Sequence, residues 1–319
     1  MCMKKDDLCK NYLKKKEIFA DAFNFYLYDG KQVIKPDDLT ELDTNEVAKL
    51  KNNVSFQKNR DVFKQVTIMQ NDEKCYMLLG IESQSYIDYG MVVRCMLYDA
   101  ISYYNQIKEL ENKLKNVKIK TGNEFLSKMG KAARLKPVVT LVIYFGDDEW
   151  DGVRTLHDIL EDSSNEIEEL IPNYKLHLIS PYEIEEKRFE KFSTELYNVL
   201  KFIKYSKNEE KLYELKNDDR WKVDRDTYDL INVLTELDLE FEEDGGPINM
   251  CKGIEDLKRH AEERGEKRGE ERGREEGIIL EREDNVYKLY CKGISKEEIS
   301  NLLDLSLDDV NRIIVSKSN

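Results

Sequence analysis

The chain lacks any hydrophobic run approaching the roughly 18 residues that a bilayer crossing requires. Its lysine-rich start, Met1 to Lys16, also lacks the apolar stretch of a secretory signal. A soluble, cytoplasmic protein with no membrane partner is expected. Proline is scarce, 5 in 319 residues, which excludes collagen-like and proline-rich disordered chains. The three histidines and six cysteines contain no C-x-x-C pair, so structural zinc and a disulfide scaffold are not expected, and Cys2, Cys9, Cys75, Cys95, Cys251 and Cys291 read as reduced thiols. A basic surplus is missing too. With 51 Lys and Arg against 65 Asp and Glu the net charge is −14, so any nucleic-acid function must rest on a local basic patch or on bound metal ions.

What remains is a charge-rich globular chain, 40% hydrophobic and 36% charged, long enough for one large domain with appendages or for two domains. Phe19, Ala22, Phe23 and Tyr26 fall at i, i+3, i+4, i+7 and predict an amphipathic helix over Ile18 to Tyr28, ended by Gly30. The acidic stretch from Pro36 to Leu50 fits either a weak strand or a short helix. Two β-rich runs, Asp61 to Gln70 and Lys74 to Gln84, flank the turn Asn71-Asp-Glu73 and predict a hairpin. A long helix over Tyr89 to Leu114 follows, buried first and solvated later. Val138 to Phe145, between Pro137 and Gly146, reads as a strand buried on both faces, and Lys175 to Ile179 as another. This order predicts a mixed α/β core over roughly the first 180 residues.

The tail differs in kind. Gly265, Gly269, Gly273 and Gly277 recur every four residues among Glu, Lys and Arg. Each costs a helix about 1 kcal/mol relative to Ala, more than the about 0.3–0.5 kcal/mol an exposed ion pair returns. The stretch is therefore partly helical, or its glycine stripe admits a second helix. Beyond it, Ser295 with Glu298 and Ser306 with Asp309 mark two helix starts, the first a capping box. With Asn285 to Tyr290 they predict three short helices resembling a helix-turn-helix unit, apolar at Ile294, Ile299, Leu302, Leu303, Leu307, Val310, Ile313 and Ile314.

Chemistry is expected at the hairpin. An antiparallel pair joined by a tight turn brings the start of one strand beside the end of the next, so Asp61 and Glu82 can meet at one sheet edge. Two like charges about 4 Å apart repel by about 4 kcal/mol at an effective dielectric of about 20. A divalent cation between them turns that cost into binding, and two carboxylates with a backbone carbonyl and waters suit Mg²⁺ or Mn²⁺. The bland alternative is that Asp61 ends a turn and Glu82 caps a strand at the surface.

Phe19-Ala-Asp-Ala-Phe-Asn24, Arg60-Asp-Val62, Gly80-Ile-Glu-Ser-Gln84, Arg94 with Tyr98, Tyr144-Phe-Gly146 and Trp150-Asp-Gly152, in this order and spacing, resemble the Rpn-like family of recombination-promoting nucleases and putative transposases, within the PD-(D/E)XK nuclease superfamily. The resemblance spans roughly residues 15 to 205. It implies a restriction-endonuclease-like core, a mixed sheet flanked by helices, over 1–205. A helical extension or linker (206–255), a glycine-repeat charged helix (256–283) and the helix-turn-helix-like unit (284–319) would follow. It further implies Asp61, Glu82 and Gln84 as catalytic residues, with Asp61, Glu82 and Ser83 at the metal and Asp21 completing its shell through a water. Gln84 stands where the superfamily usually has Lys, and an amide can orient a water or phosphate oxygen but cannot supply charge.

The activity so implied is Mg²⁺- or Mn²⁺-dependent hydrolysis of DNA phosphodiesters, in recombination or mobile-element transfer, with DNA as partner and no small-molecule cofactor. Arg94 could contact a phosphate or form an ordinary salt bridge. Tyr98 and Tyr104 read as core, and His157, His177 and His260 as structural or exposed. A homodimer through the glycine repeat would supply two active sites. The competing reading is a non-catalytic DNA-associated or assembly protein that keeps the nuclease fold.

Overall fold

The computed structural model describes residues 5–49, 55–70, 73–114, 121–127, 129–162, 164–215, 220–235, 246–250 and 279–318, with single positions between 254 and 277. They divide into two compact units, Met1–Ile254 and Glu255–Asn319. No described helix is long and apolar enough to cross a membrane.

The first unit is a mixed α/β structure around a five-stranded sheet. Helices α1 (Lys5–Lys14) and α2 (Lys16–Tyr28) lead into strands β1 (Leu39–Glu41), β2 (Asn45–Lys49), β3 (Ser55–Asn59), β4 (Val62–Gln70) and β5 (Glu73–Gln84). Helix α3 (Met91–Leu114) then crosses over to β6 (Val138–Tyr144), and β7 (His177–Ile179) follows. The sheet order is β1-β4-β5-β6-β7, while β2 and β3 form a separate antiparallel pair. The pairs β1–β4 and β4–β5 are antiparallel, whereas β5–β6 and β6–β7 are parallel, which is why a helix must intervene between β5 and β6.

The apolar spacing of α2 buries Phe19, Ala22 and Phe23. The helix ends in two left-handed residues, Asp29 (φ 55°) and Gly30 (φ 84°). Gly30 N–H closes the helix on Asn24 O at 2.9 Å, and a Cβ there would stand 2.6 Å from Lys191 Cβ, so the position needs glycine twice over. Helix α1 lies where the sequence shows only a lysine-rich start; Cys9, Tyr12 and Leu13 form its buried stripe. The acidic segment resolves into a 3₁₀ turn at Pro36–Asp38 followed by β1 and β2. The hairpin pairs Val62 with Ile81 through to Gln70 with Glu73, the turn residues 71–72 lying outside those described.

Alternation along β4 and β5 sorts the two faces. Phe63, Leu78 and Val138 cluster under Tyr103 of α3, whereas Lys64 points the other way, over the Phe19 ring and into the carbonyl of Lys14 at 2.8 Å. Met91, Cys95, Tyr98 and Ile101 bury the inner stripe of α3. Short helices α4 (Gly122–Ser127), α5 (Asn165–Glu168) and α6 (Glu186–Phe189) precede α7 (Leu196–Tyr205), which is buried along almost its whole length. Helices α8 (Glu209–Glu214) and α9 (Arg225–Thr235) follow, with a short antiparallel pair of Lys222–Val223 and Ile248–Asn249, and Lys5 Nζ donates to Leu234 O at 3.2 Å to tie α1 to α9.

In the second unit, a helix over 279–291, here α10, precedes α11 (Lys296–Leu303) and α12 (Leu307–Ser318). Ser295 and Glu298 form the reciprocal capping box that their spacing predicts, and Ser306 Oγ accepts from Asp309 N–H at 3.1 Å. Val286, Ile299, Val310, Ile313 and Ile314 make the core. Leu302 and Leu307, expected inside, are 65% and 41% exposed: both fall outside the stripe that α11 and α12 share. Most of the glycine repeat lies outside the described residues. Gly273 and Gly277 are helical positions, and apart from their own helix backbone no described residue comes within 4 Å of where a Cβ would sit.

Candidate active site at the sheet edge

Period-two alternation puts Gly80, Glu82 and Gln84 of β5 on the face covered by α3. Asp61 stands one residue before β4, and the pairing of Val62 with Ile81 sets it opposite Glu82. The hairpin thus brings the two acids together. Glu82 Oε1 accepts from Asp61 N–H at 3.2 Å, and Asp61 Oδ2 accepts from Ser83 N–H at 2.8 Å and Ser83 Oγ at 3.0 Å. Asp61 Oδ1 has no hydrogen-bond partner among the described residues.

Glu82 is fully buried. Its Oε2 accepts from Arg94 Nη2 at 3.0 Å and from the Tyr98 hydroxyl at 3.4 Å; Arg94 Nε in turn donates to that hydroxyl at 3.1 Å. Arg94 and Tyr98, four residues apart, share one face of α3. Despite its Arg94 partner, the Glu82 carboxyl is pushed up from 4.5 to about 7, because burial, and then the charge of Asp61, outweigh the attraction of the guanidinium. Burial and the same Glu82 charge push the Tyr98 phenol up to about 12.

Gln84 is 4% exposed, and its Oε1 has no hydrogen-bond partner among the described residues. A buried, unpaired acceptor calls for a water or an ion. Gln84 shares a strand face with Glu82, and with Asp61 Oδ1 and the Glu82 carboxylate it would make up an oxygen-only donor set of the kind Mg²⁺ and Mn²⁺ favour, with waters filling the remainder. Among the described residues no group of three or more His, Cys, Asp or Glu side chains is placed to hold a metal, so such a site would rest on two carboxylates and neutral oxygens.

Asp21 is not brought to this edge. It is buried in α2, and both its oxygens are filled: Oδ1 accepts from Ser193 N–H and Oγ, each at 2.9 Å, and Oδ2 from Thr194 N–H at 3.0 Å and Oγ1 at 2.6 Å. Its carboxylate fastens α2 to the segment leading into α7. His177 shares a 3.1 Å hydrogen bond with the Tyr26 hydroxyl, and His157 Nε2 lies 2.8 Å from Ile171 O; both are structural, while His260 lies outside the described residues. Tyr98 is in the core as expected, and Tyr104 is half-buried.

Behind Asp61 lies a buried ion pair that its sequence neighbours do not announce. Arg60 is fully buried, with Nη2 donating to Asp99 Oδ1 at 3.3 Å and to Ser102 Oγ at 3.1 Å, and Nη1 donating to Thr140 Oγ1. Asp99 also accepts from Thr140 Oγ1 at 2.6 Å and from the Tyr174 hydroxyl at 2.7 Å. A Cβ at Gly80 would lie 2.3 Å from Arg60 Nη1, so glycine makes the guanidinium's room. Breaking such a pair by removing one partner costs about 3–5 kcal/mol. The one signal was an Arg beside Asp61 at the head of an apolar strand. A cavity of about 450 Å³ farther along α3, lined by Phe63, Leu78, Ser102, Gln106, Arg134 and Lys136 among others, includes none of Asp61, Glu82 and Gln84.

No curated protein and no solved structure matches the chain. One family does, over residues 3–218, two thirds of the length and all the elements that build the sheet edge. The chain belongs to the family described as "Putative transposase, YhgA-like".

Proposed function

We propose that this protein is a metal-dependent DNA endonuclease, a phosphodiester hydrolase with a PD-(D/E)XK core that serves DNA recombination or mobile-element transfer. The observation that carries this reading is the meeting of Asp61 and Glu82 at one sheet edge, on the strand whose next residue on that face, Gln84, has a buried Oε1 without a hydrogen-bond partner among the described residues. The order helix, three antiparallel strands, helix, parallel strand (α2, β1, β4, β5, α3, β6) supports the nuclease-type core. Transposition, in the family's description, supports DNA as the substrate.

Asp61, Glu82, Ser83 through its backbone carbonyl, and Gln84 would hold a Mg²⁺ or Mn²⁺ ion. Such an ion lowers the pKa of a bound water and stabilises charge building on a phosphate. The chain's own residues do the rest. Ser83 fixes one oxygen of Asp61 and leaves the other free, Arg60 and its partners hold the strand end from behind, and the Gln84 amide would orient a water. Asp21 belongs to the framework of this site and not to its metal shell.

Supercoiled plasmid incubated with Mg²⁺ or Mn²⁺ should be cut by the wild type, and cutting should be lost in folded Asp61→Ala and Glu82→Ala, each of which removes a hard oxygen ligand. Cleavage unchanged in both variants would discard the site. No cleavage by the wild type with either ion would favour the non-catalytic DNA-associated reading. Two active sites suit a double-strand cut, and the glycine repeat is our proposed dimer contact. Sedimentation of a chain ended at Asp256 should show a monomer where the full chain is a dimer; an unaltered state would remove that contact.

A further inference from the structure

We propose that Arg94 is the resident counter-ion of Glu82: its guanidinium holds the Oε2 position that a divalent cation would need, so the two cations exclude one another there, and the guanidinium set free becomes a phosphate contact at the mouth of the site. The inference rests on the nuclease reading above and adds to it a competition internal to the chain.

The geometry leaves little choice of approach. Oε1 of Glu82 is committed to the Asp61 N–H at 3.2 Å, on the strand side. Oε2 faces α3, where Arg94 Nη2 reaches it at 3.0 Å. A divalent ion bridging Glu82 and Asp61 while Arg94 stayed would crowd two cations onto one buried carboxylate, and at such range in a partly dry site like charges repel strongly.

Two arginines flank these acids, and they differ in freedom. Arg60 has no exposed surface and is enclosed by Asp99, Thr140 and Ser102. The Arg94 side chain is 31% exposed, and a second carboxylate already stands near it: Asp88 Oδ2 lies 3.5 Å from Nη1, on the loop between β5 and α3. Arg94 can therefore leave Glu82 without leaving all its partners. Its planar fork of donors is the side chain best matched to a phosphate. By linkage, a phosphate that draws Arg94 away from Glu82 must strengthen cation binding, and a bound cation must strengthen the phosphate contact by the same factor.

The test is calorimetric titration of Mn²⁺ into the full chain without DNA, for wild type, Arg94→Met, Arg94→Lys and Asp61→Ala. Arg94→Met keeps an apolar stem against Tyr98 and removes the competing charge, so it should bind Mn²⁺ about tenfold more tightly, the scale of one charge-assisted hydrogen bond. Arg94→Lys keeps the charge and should stay near wild type. Asp61→Ala should lose the site. If Asp61→Ala abolishes binding but Arg94→Met binds no more tightly than wild type, the counter-ion role is overturned and the metal site stands. If Asp61→Ala binds as wild type does, the metal site falls and takes this inference with it.

Discussion

Asp21 and Asp61 are two carboxylates in one unit, tied down in opposite ways. Four donors converge on Asp21, two to each oxygen, and no acceptor capacity is left over. Asp61 receives two donors, both on Oδ2 and both from Ser83, and faces a second carboxylate across the hairpin. The first arrangement is a finished joint between α2 and the approach to α7. The second leaves an open oxygen and a repulsion that Arg94, paired with Glu82, offsets only in part, which a fold optimised only for stability would have removed. Saturation of the donors around an acid thus separates a structural carboxylate, the buried Asp21, from a candidate ligand, the half-buried Asp61, where residue type alone does not.

The isosteric swap to Asn tests this contrast most sharply. Asp61→Asn keeps an acceptor for Ser83 while removing a ligand charge and the repulsion on Glu82. Divalent-dependent cleavage should fall at least about 100-fold, roughly 2.7 kcal/mol or more, with the thermal midpoint unchanged or raised. Asp21→Asn should do the reverse. Its amide nitrogen would face two donors that had an acceptor, costing about 2–3 kcal/mol and lowering the midpoint by roughly 4–12 °C, while the folded fraction still cleaves. A stable Asp21→Asn protein without activity would return Asp21 to the metal shell.

A smaller effect is expected in pH. The Glu82 carboxyl titrates near 7 in the folded protein against about 4.5 when unfolded. The folded state therefore holds this proton more tightly, so the associated stability is complete below about pH 4.5 and is lost as pH rises through about 7. In EDTA, the urea midpoint of wild type should decline relative to Glu82→Gln between these limits and run parallel to it above them. Parallel curves over the whole range would mean that Glu82 is not raised, and that Asp61 exerts less repulsion than its position implies.

How much of this was legible depends on the distance in sequence over which each feature is encoded. The facing of Asp61 and Glu82 follows from one hairpin, and strand alternation with a tight turn fixes it; the helix from Met91 and the strand from Val138 announce themselves by apolar periodicity in the same local way. The fate of Asp21 was illegible, because its donors, Ser193 and Thr194, lie more than 170 positions away. Arg60 was hidden for the same reason: Asp99, Thr140 and Tyr174 meet only once α3, β6 and the approach to β7 have packed. Arg94 was half legible. Its i,i+4 partner Tyr98 could be read from the helix, but its choice of Glu82 depends on how α3 sits on the sheet.

The smallest effect is expected from the second unit, whose helix-turn-helix outline invites a DNA-reading role that its charges oppose. A recognition helix offers its first turn to base edges and phosphates, and α12 offers Leu307, Asp308 and Asp309. Two groups that could make favourable contacts, Lys296 and Arg312, are already engaged within the unit. Lys296 Nζ donates to Asn311 Oδ1 at 2.8 Å, and Arg312 Nη2 pairs with Asp309 Oδ1 at 2.5 Å. The exposed Lys288 of α10 and Lys292 just after it are left to neutralise phosphates, two cations set against Asp308 and Asp309, and the salt dependence of DNA binding scales with the number of phosphates neutralised. Deletion of Asp284 to Asn319 should therefore leave both DNA affinity and the slope of its logarithm against the logarithm of salt concentration nearly unchanged. A marked loss of affinity with a shallower slope would make this unit the part that targets DNA, and would move the source of binding away from the sheet edge.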